Sequence, residues 1–169
     1  MIDQNSIEKG NKLLKILSYS IIVFWALWSS LVALGDSVNL LQKISWLPKS
    51  WIFTSGNYDL VAKSISIYGL NNRFLVLILF LCIVVFAWLI AGFFWRAVFA
   101  SKVNYEQYLQ KCYLAFLLSF AIEAFFILAD EIFIQYDLEH GHIDRLGFKL
   151  ITFLVFFIIG KSITKGVSL

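Results

Sequence analysis

Between Arg73 and Arg96 the chain runs for twenty-two residues, FLVLILFLCIVVFAWLIAGFFW, without a single charge. As a helix rising 1.5 Å per residue this segment reaches ~33 Å, enough to cross the ~30 Å hydrocarbon core of a bilayer. The rest of the chain is consistent with that environment. Sixty per cent of the 169 residues are hydrophobic, against about 45–50% in soluble domains. One proline and nine glycines leave little material for a loop-rich β fold. The fold class expected is all-α: one polytopic membrane domain with four transmembrane helices.

The other three spans are read from the same signal. Residues 16–35 form a twenty-residue uncharged stretch, too long for the h-region of a signal peptide, and LVALGD is a poor cleavage site. It is therefore expected to stay in place as the first span, ahead of the second at 74–95. A third run, 112–134, is interrupted by Glu123 before its acidic end. The fourth, 146–163, is free of charge only over Leu150–Gly160, so Lys149 and Lys161 are expected to snorkel outward to the interfaces.

Lys and Arg near the spans set the orientation. One side would hold Lys9, Lys12, Lys15, Arg96, Lys102, Lys111, Lys161 and Lys165; the other Lys43, Lys49, Lys63, Arg73, Arg145 and Lys149. Eight against six places both termini in the cytoplasm. The external loop, 36–73, then carries Trp46, Trp51, Tyr58 and Tyr68 among spaced Leu and Ile, a pattern suited to one or two short helices lying in the interface. Pro48 and Ser55-Gly56-Asn57 punctuate it.

Glu123 lies near the midplane of the third span, where a carboxylate costs at least ~2.5–3.5 kcal/mol and faces the bundle interior. Asp130 and Glu131 follow seven and eight residues later, so the three share roughly one helical face. Two readings follow. In one, Glu123, Asp130 and Glu131 bind protons or cations along a route to the outer surface. In the other, a neutral Glu123 bonds across the bundle to Thr152, Ser20 or Trp88, as polar side chains do between membrane helices, and the acidic pair is simply interfacial.

Glu139, His140 and His142 form a second cluster in the predicted outer loop, with Asp144 beside it and Asp36 within possible reach. His and carboxylate ligands at this spacing suit a divalent metal weakly, and the same histidines would serve as a pH sensor. No cofactor is indicated. Both histidines lie in that loop, so no bis-His haem fits inside the bundle, and no Walker A, GxGxxG, HExxH or GxSxG pattern is present. Cys82 and Cys112 form no CxxC pair. No basic run is interleaved with aromatics, so no nucleic-acid partner is expected. Trp25, Trp28, Trp88 and Trp95 read as core or interfacial belt, and Ala87, Ala91 and Gly92 as a site of close helix packing.

The segments LVALGDSVN, FTSGNYDLVAKSISIY, GFFWRA and FILADEIFIQYDLE together resemble a bacterial family of predicted small integral membrane proteins, a four-span domain of unknown function. The resemblance implies a four-helix protein of the bacterial inner membrane; it implies no reaction and no substrate. The function expected from the residues is non-enzymatic. The chain reads as an accessory or scaffold component of a larger membrane complex, or a homodimer, with the lipid bilayer as its first partner. The alternative is a small proton-coupled transporter using Glu123.

Overall fold

The computed structural model describes residues 4–101 and 104–166; Lys102, counted above, lies outside them. Five helices follow in order: α1 (Gln4–Lys43), α2 (Asn57–Ser66), α3 (Arg73–Ala100), α4 (Tyr105–Ile132) and α5 (Tyr136–Gly166). Among the described residues there is no strand. Four segments are long and apolar enough to cross a membrane: Glu8–Lys43, Arg73–Ala100, Tyr105–Ile132 and Leu138–Thr164. The chain is an all-helical, multi-pass membrane protein, and side chains such as Phe125, Leu128, Ile151 and Ile158 stand exposed on its flanks, as lipid-facing residues do.

The long helices pack as a closed ring, α1 on α3, α3 on α4, α4 on α5 and α5 back on α1, with α2 laid against α1 and α3. Short connections make sequential neighbours antiparallel. Lys15 Nζ lies over the Tyr105 ring and Gly160 abuts Leu109, so both chain ends lie at one end of the bundle.

Local chemistry sets the boundaries. Asn72 caps α3 by accepting bonds from the Phe74 and Leu75 amides, and Asn104 caps α4 by accepting from Glu106. The far ends of α1 and α4 close through left-handed residues, Ser45 at φ 65° and Ile134 at φ 55°. Trp46 N–H then reaches back to Leu41 O, and Gln135 N–H to Asp130 O, satisfying carbonyls the helix leaves free.

Of the boundaries that move, two bear on the polar residues singled out above. α1 runs to Lys43 instead of stopping at residue 35, because Asp36 and Asn39 are buried polar residues with partners: Asp36 accepts from Asn57 Nδ2 at 2.8 Å and Asn39 Oδ1 caps the Tyr58 amide at 2.8 Å. Asp36 therefore serves α2 and not the histidine region. The predicted outer loop around His140 is instead the first turns of α5, joined to α4 by a turn at residues 133–135. The segment 36–73 holds one short helix, α2, preceded by an irregular stretch through Pro48.

The core lies at two levels. Trp25, Phe94, Phe116 and Phe156 interlock at the centre of the ring, with Phe94–Phe116 centroids 5.3 Å apart and edge-on. Tyr58, Ile65, Val76 and Phe80 seat α2 on α3. Ala91 is buried, whereas a Cβ on Gly92 would meet open space.

Candidate functional site: an ionic cluster between α4 and α5

His142, Arg145 and Lys149 recur on α5 at intervals of three and four, so one helical face carries all three. Glu123 of α4 faces them. Lys149 Nζ donates to Glu123 Oε1 at 2.6 Å, His142 Nδ1 lies 2.9 Å from Oε2, and Arg145 Nε stands 3.7 Å from Oε2. Both carboxylate oxygens are thus engaged. Asp130, almost two full turns along α4 from Glu123, brings Oδ2 to 3.6 Å from His142 Nε2, an ionic separation too long for a hydrogen bond.

The cluster corrects three expectations. Lys149 does not snorkel; it is only 7% exposed and turns inward, because a mid-bundle carboxylate without a counter-charge would cost more than drawing the ammonium in. Its Nζ also stands 5.8 Å from the centroid of Trp25, within cation–π range. The partners proposed for a neutral Glu123 bond elsewhere. Thr152 donates to Phe148 O, Ser20 to Ile16 O and the Trp88 indole to Ser37 Oγ. Finally, Glu131 leaves the carboxylate face. Its offset from Asp130 is ~100° around the helix, and it is exposed.

The two histidines part in the same way. Two residues apart on a helix they diverge by ~200°. His140 is exposed and its Nδ1 bonds Tyr136 O at 2.9 Å, while His142 points inward and stacks on Phe126 at 5.1 Å. Glu139 sits half-buried in the first turn of α5. Among the described residues no group of three or more His, Cys, Asp or Glu is arranged to hold a metal ion.

The position of one proton on His142 sets the wiring. On Nδ1 it bonds Glu123. On Nε2 it faces Asp130 and leaves Nδ1 to accept from Arg145 Nη2, 2.6 Å away. With Asp130 and Glu123 opposite Arg145 and Lys149, fixed charges of the two signs balance. Beside the cluster a recess of about 290 Å³ opens between α1 and α5, lined by Phe24, Trp25, Trp28 and Phe148 together with Asp144, Arg145 and Lys149.

Towards the chain termini the polarity stops. The Ser119 hydroxyl is buried without a partner, and the next buried polar bond along α4 is Ser18 Oγ to Tyr108 Oη at 3.1 Å. About eleven residues, or ~16.5 Å of helix rise, separate them. Phe116 fills that interval, ringed by Trp25, Phe94, Phe153 and Phe156.

A second polar seam went unread in the sequence. Ser30 Oγ donates to Ala26 O at 2.8 Å and accepts from Trp95 Nε1 at 2.9 Å; Ser37 Oγ donates to Ala33 O at 2.7 Å and accepts from Trp88 Nε1 at 2.9 Å. The signal was present as two seven-residue spacings, Ser30 to Ser37 and Trp88 to Trp95, on adjacent antiparallel spans. No protein-family model matches the chain, no curated protein matches it, and no solved structure matches it.

Proposed function

We propose that the chain is a non-catalytic, multi-pass protein of the bacterial cytoplasmic membrane, with both termini inside, acting as an accessory or scaffold component of a larger membrane assembly. The observation that carries this reading is the engagement of both Glu123 oxygens within the bundle, by Lys149 and His142, above an aromatic layer with no hydrogen-bonded path across it among the described residues. Such a cluster clamps α4 to α5. The orientation rests on eight Lys and Arg on the inner side against six on the outer. At the outer end of α1, Trp46 is 78% and Ile52 95% exposed, apolar surface that a partner at the membrane interface would cover.

A second reading, a small proton-coupled transporter, is favoured by one feature: His142 stands between two carboxylates and so links Asp130 to Glu123. Affinity purification of tagged protein from its native membrane, followed by mass spectrometry, separates the two. The scaffold reading expects a stoichiometric set of larger membrane proteins. Recovery of this chain alone, together with proton-coupled flux in liposomes that Glu123→Gln abolishes without unfolding, would give the function to the transporter.

A further inference from the structure

At the opposite side of the ring from the ionic cluster, the end of α1, α2 and the start of α3 enclose a recess of about 410 Å³. We propose that it is a binding site for an anionic phosphodiester, the headgroup of an acidic phospholipid. Three cations line it, Lys43, Lys49 and Arg73, and no carboxylate does. The nearest acid, Asp59, bonds Lys43 Nζ at 2.6 and 2.8 Å and offsets one of the three charges. Lys49 has no ionic partner among the described residues.

Arg73 is built into place. Its Nη2 donates to Lys43 O at 3.0 Å, which ties the guanidinium to the end of α1 and leaves its remaining N–H groups free for an oxyanion. Lys43 is held as well, 5.4 Å from the Tyr58 centroid. Leu70, Ala62 and Val76 add apolar lining, against which the glycerol and upper acyl carbons of a lipid would lie.

Depth selects the lipid over other anions. Arg73 is the residue at which the twenty-two-residue uncharged run begins, so the recess sits where hydrocarbon gives way to headgroups. Exposed Trp46 and Trp51 lie at the same end, as aromatic belts do. Soluble phosphate shares the chemistry and reaches the same place from water.

Native mass spectrometry of the full chain released from nanodiscs tests this, comparing phosphatidylglycerol with phosphatidylcholine and adding inorganic phosphate as a third arm. The wild type is expected to retain one phosphatidylglycerol in preference to phosphatidylcholine. Arg73→Gln and Lys49→Gln should each lower that retention about fivefold, the effect of one basic residue at a charged membrane surface. Asp59→Asn removes the competing carboxylate and should raise retention, so the test holds even if Arg73→Gln folds poorly. Lys63→Gln, an exposed cation of α2 outside the recess, should change nothing. Displacement of the lipid by millimolar inorganic phosphate would keep the anion site and make its source soluble. Equal retention of the two lipids, or retention unmoved by both Arg73→Gln and Asp59→Asn, would overturn it.

Discussion

The α1–α3 seam and the α4–α5 seam solve one problem with opposite chemistry. Each joins neighbouring helices of a lipid-facing bundle through polar side chains. Across α1–α3 the groups are neutral, and every serine is self-sufficient. Its proton goes to a carbonyl one turn back and its lone pair takes an indole N–H. Across α4–α5 the groups are ionic, and each depends on the others: Glu123 needs Lys149, and His142 serves two carboxylates. Neutral glue adds stability bond by bond, whereas an ionic cluster makes the bundle hostage to its least replaceable member.

The largest expected effect follows from that dependence. Lys149→Met leaves Glu123 buried without its closest counter-charge, and breaking a buried pair typically costs ~3–5 kcal/mol. Thermal unfolding in mild detergent should show it as a large loss. The Glu123→Gln/Lys149→Met double variant removes both charges, and its stability should return to near wild type. A double variant as damaged as the sum of the singles would show that the two residues act separately and that the ionic seam is no unit.

Arg145 gives a smaller effect within the same cluster. Its side chain is 49% exposed and its guanidinium stands 3.7 Å from Glu123, beyond hydrogen-bond reach, whereas Lys149 lies at 2.6 Å. Arg145→Gln should cost no more than ~1 kcal/mol by the same assay. A loss approaching that of Lys149→Met would mean that Arg145 holds Glu123 as firmly as Lys149 does, against the distances.

How much of this was legible beforehand depended on the range of each interaction. The spans were readable because long uncharged, mostly apolar runs need no partner to declare themselves. Glu123 was readable as an inward-facing residue for the same reason, since a carboxylate in hydrocarbon has few places to point. Its partners were not. Lys149 read as the snorkelling margin of a weak span, and only the continuation of α5 back to Tyr136 carries His142 and Arg145 onto the Glu123 face. The end of α1 was hidden in the same way: Gly35-Asp36 looks like a boundary until Asn57 and Tyr58, some twenty residues later, supply the bonds that let Asp36 and Asn39 stay buried in a helix.

The neutral seam supplies the smallest and most discriminating prediction. Ser30→Ala strands the Trp95 indole N–H, and Ser37→Ala strands that of Trp88. Hydrogen bonds between membrane helices average about 0.6 kcal/mol and reach about 1.7, so each variant should fall in that range by unfolding in detergent. The two bonds lie about seven residues apart, or ~10.5 Å along α1, and share no partner. Their losses should therefore add to within ~0.5 kcal/mol in the Ser30→Ala/Ser37→Ala double variant. The same cycle at Glu123 and Lys149 is expected to show strong coupling. If the serine cycle also couples beyond that limit, the α1–α3 contact closes as one cooperative zipper. The difference between the seams would then lie in charge alone, and not in how their members depend on one another.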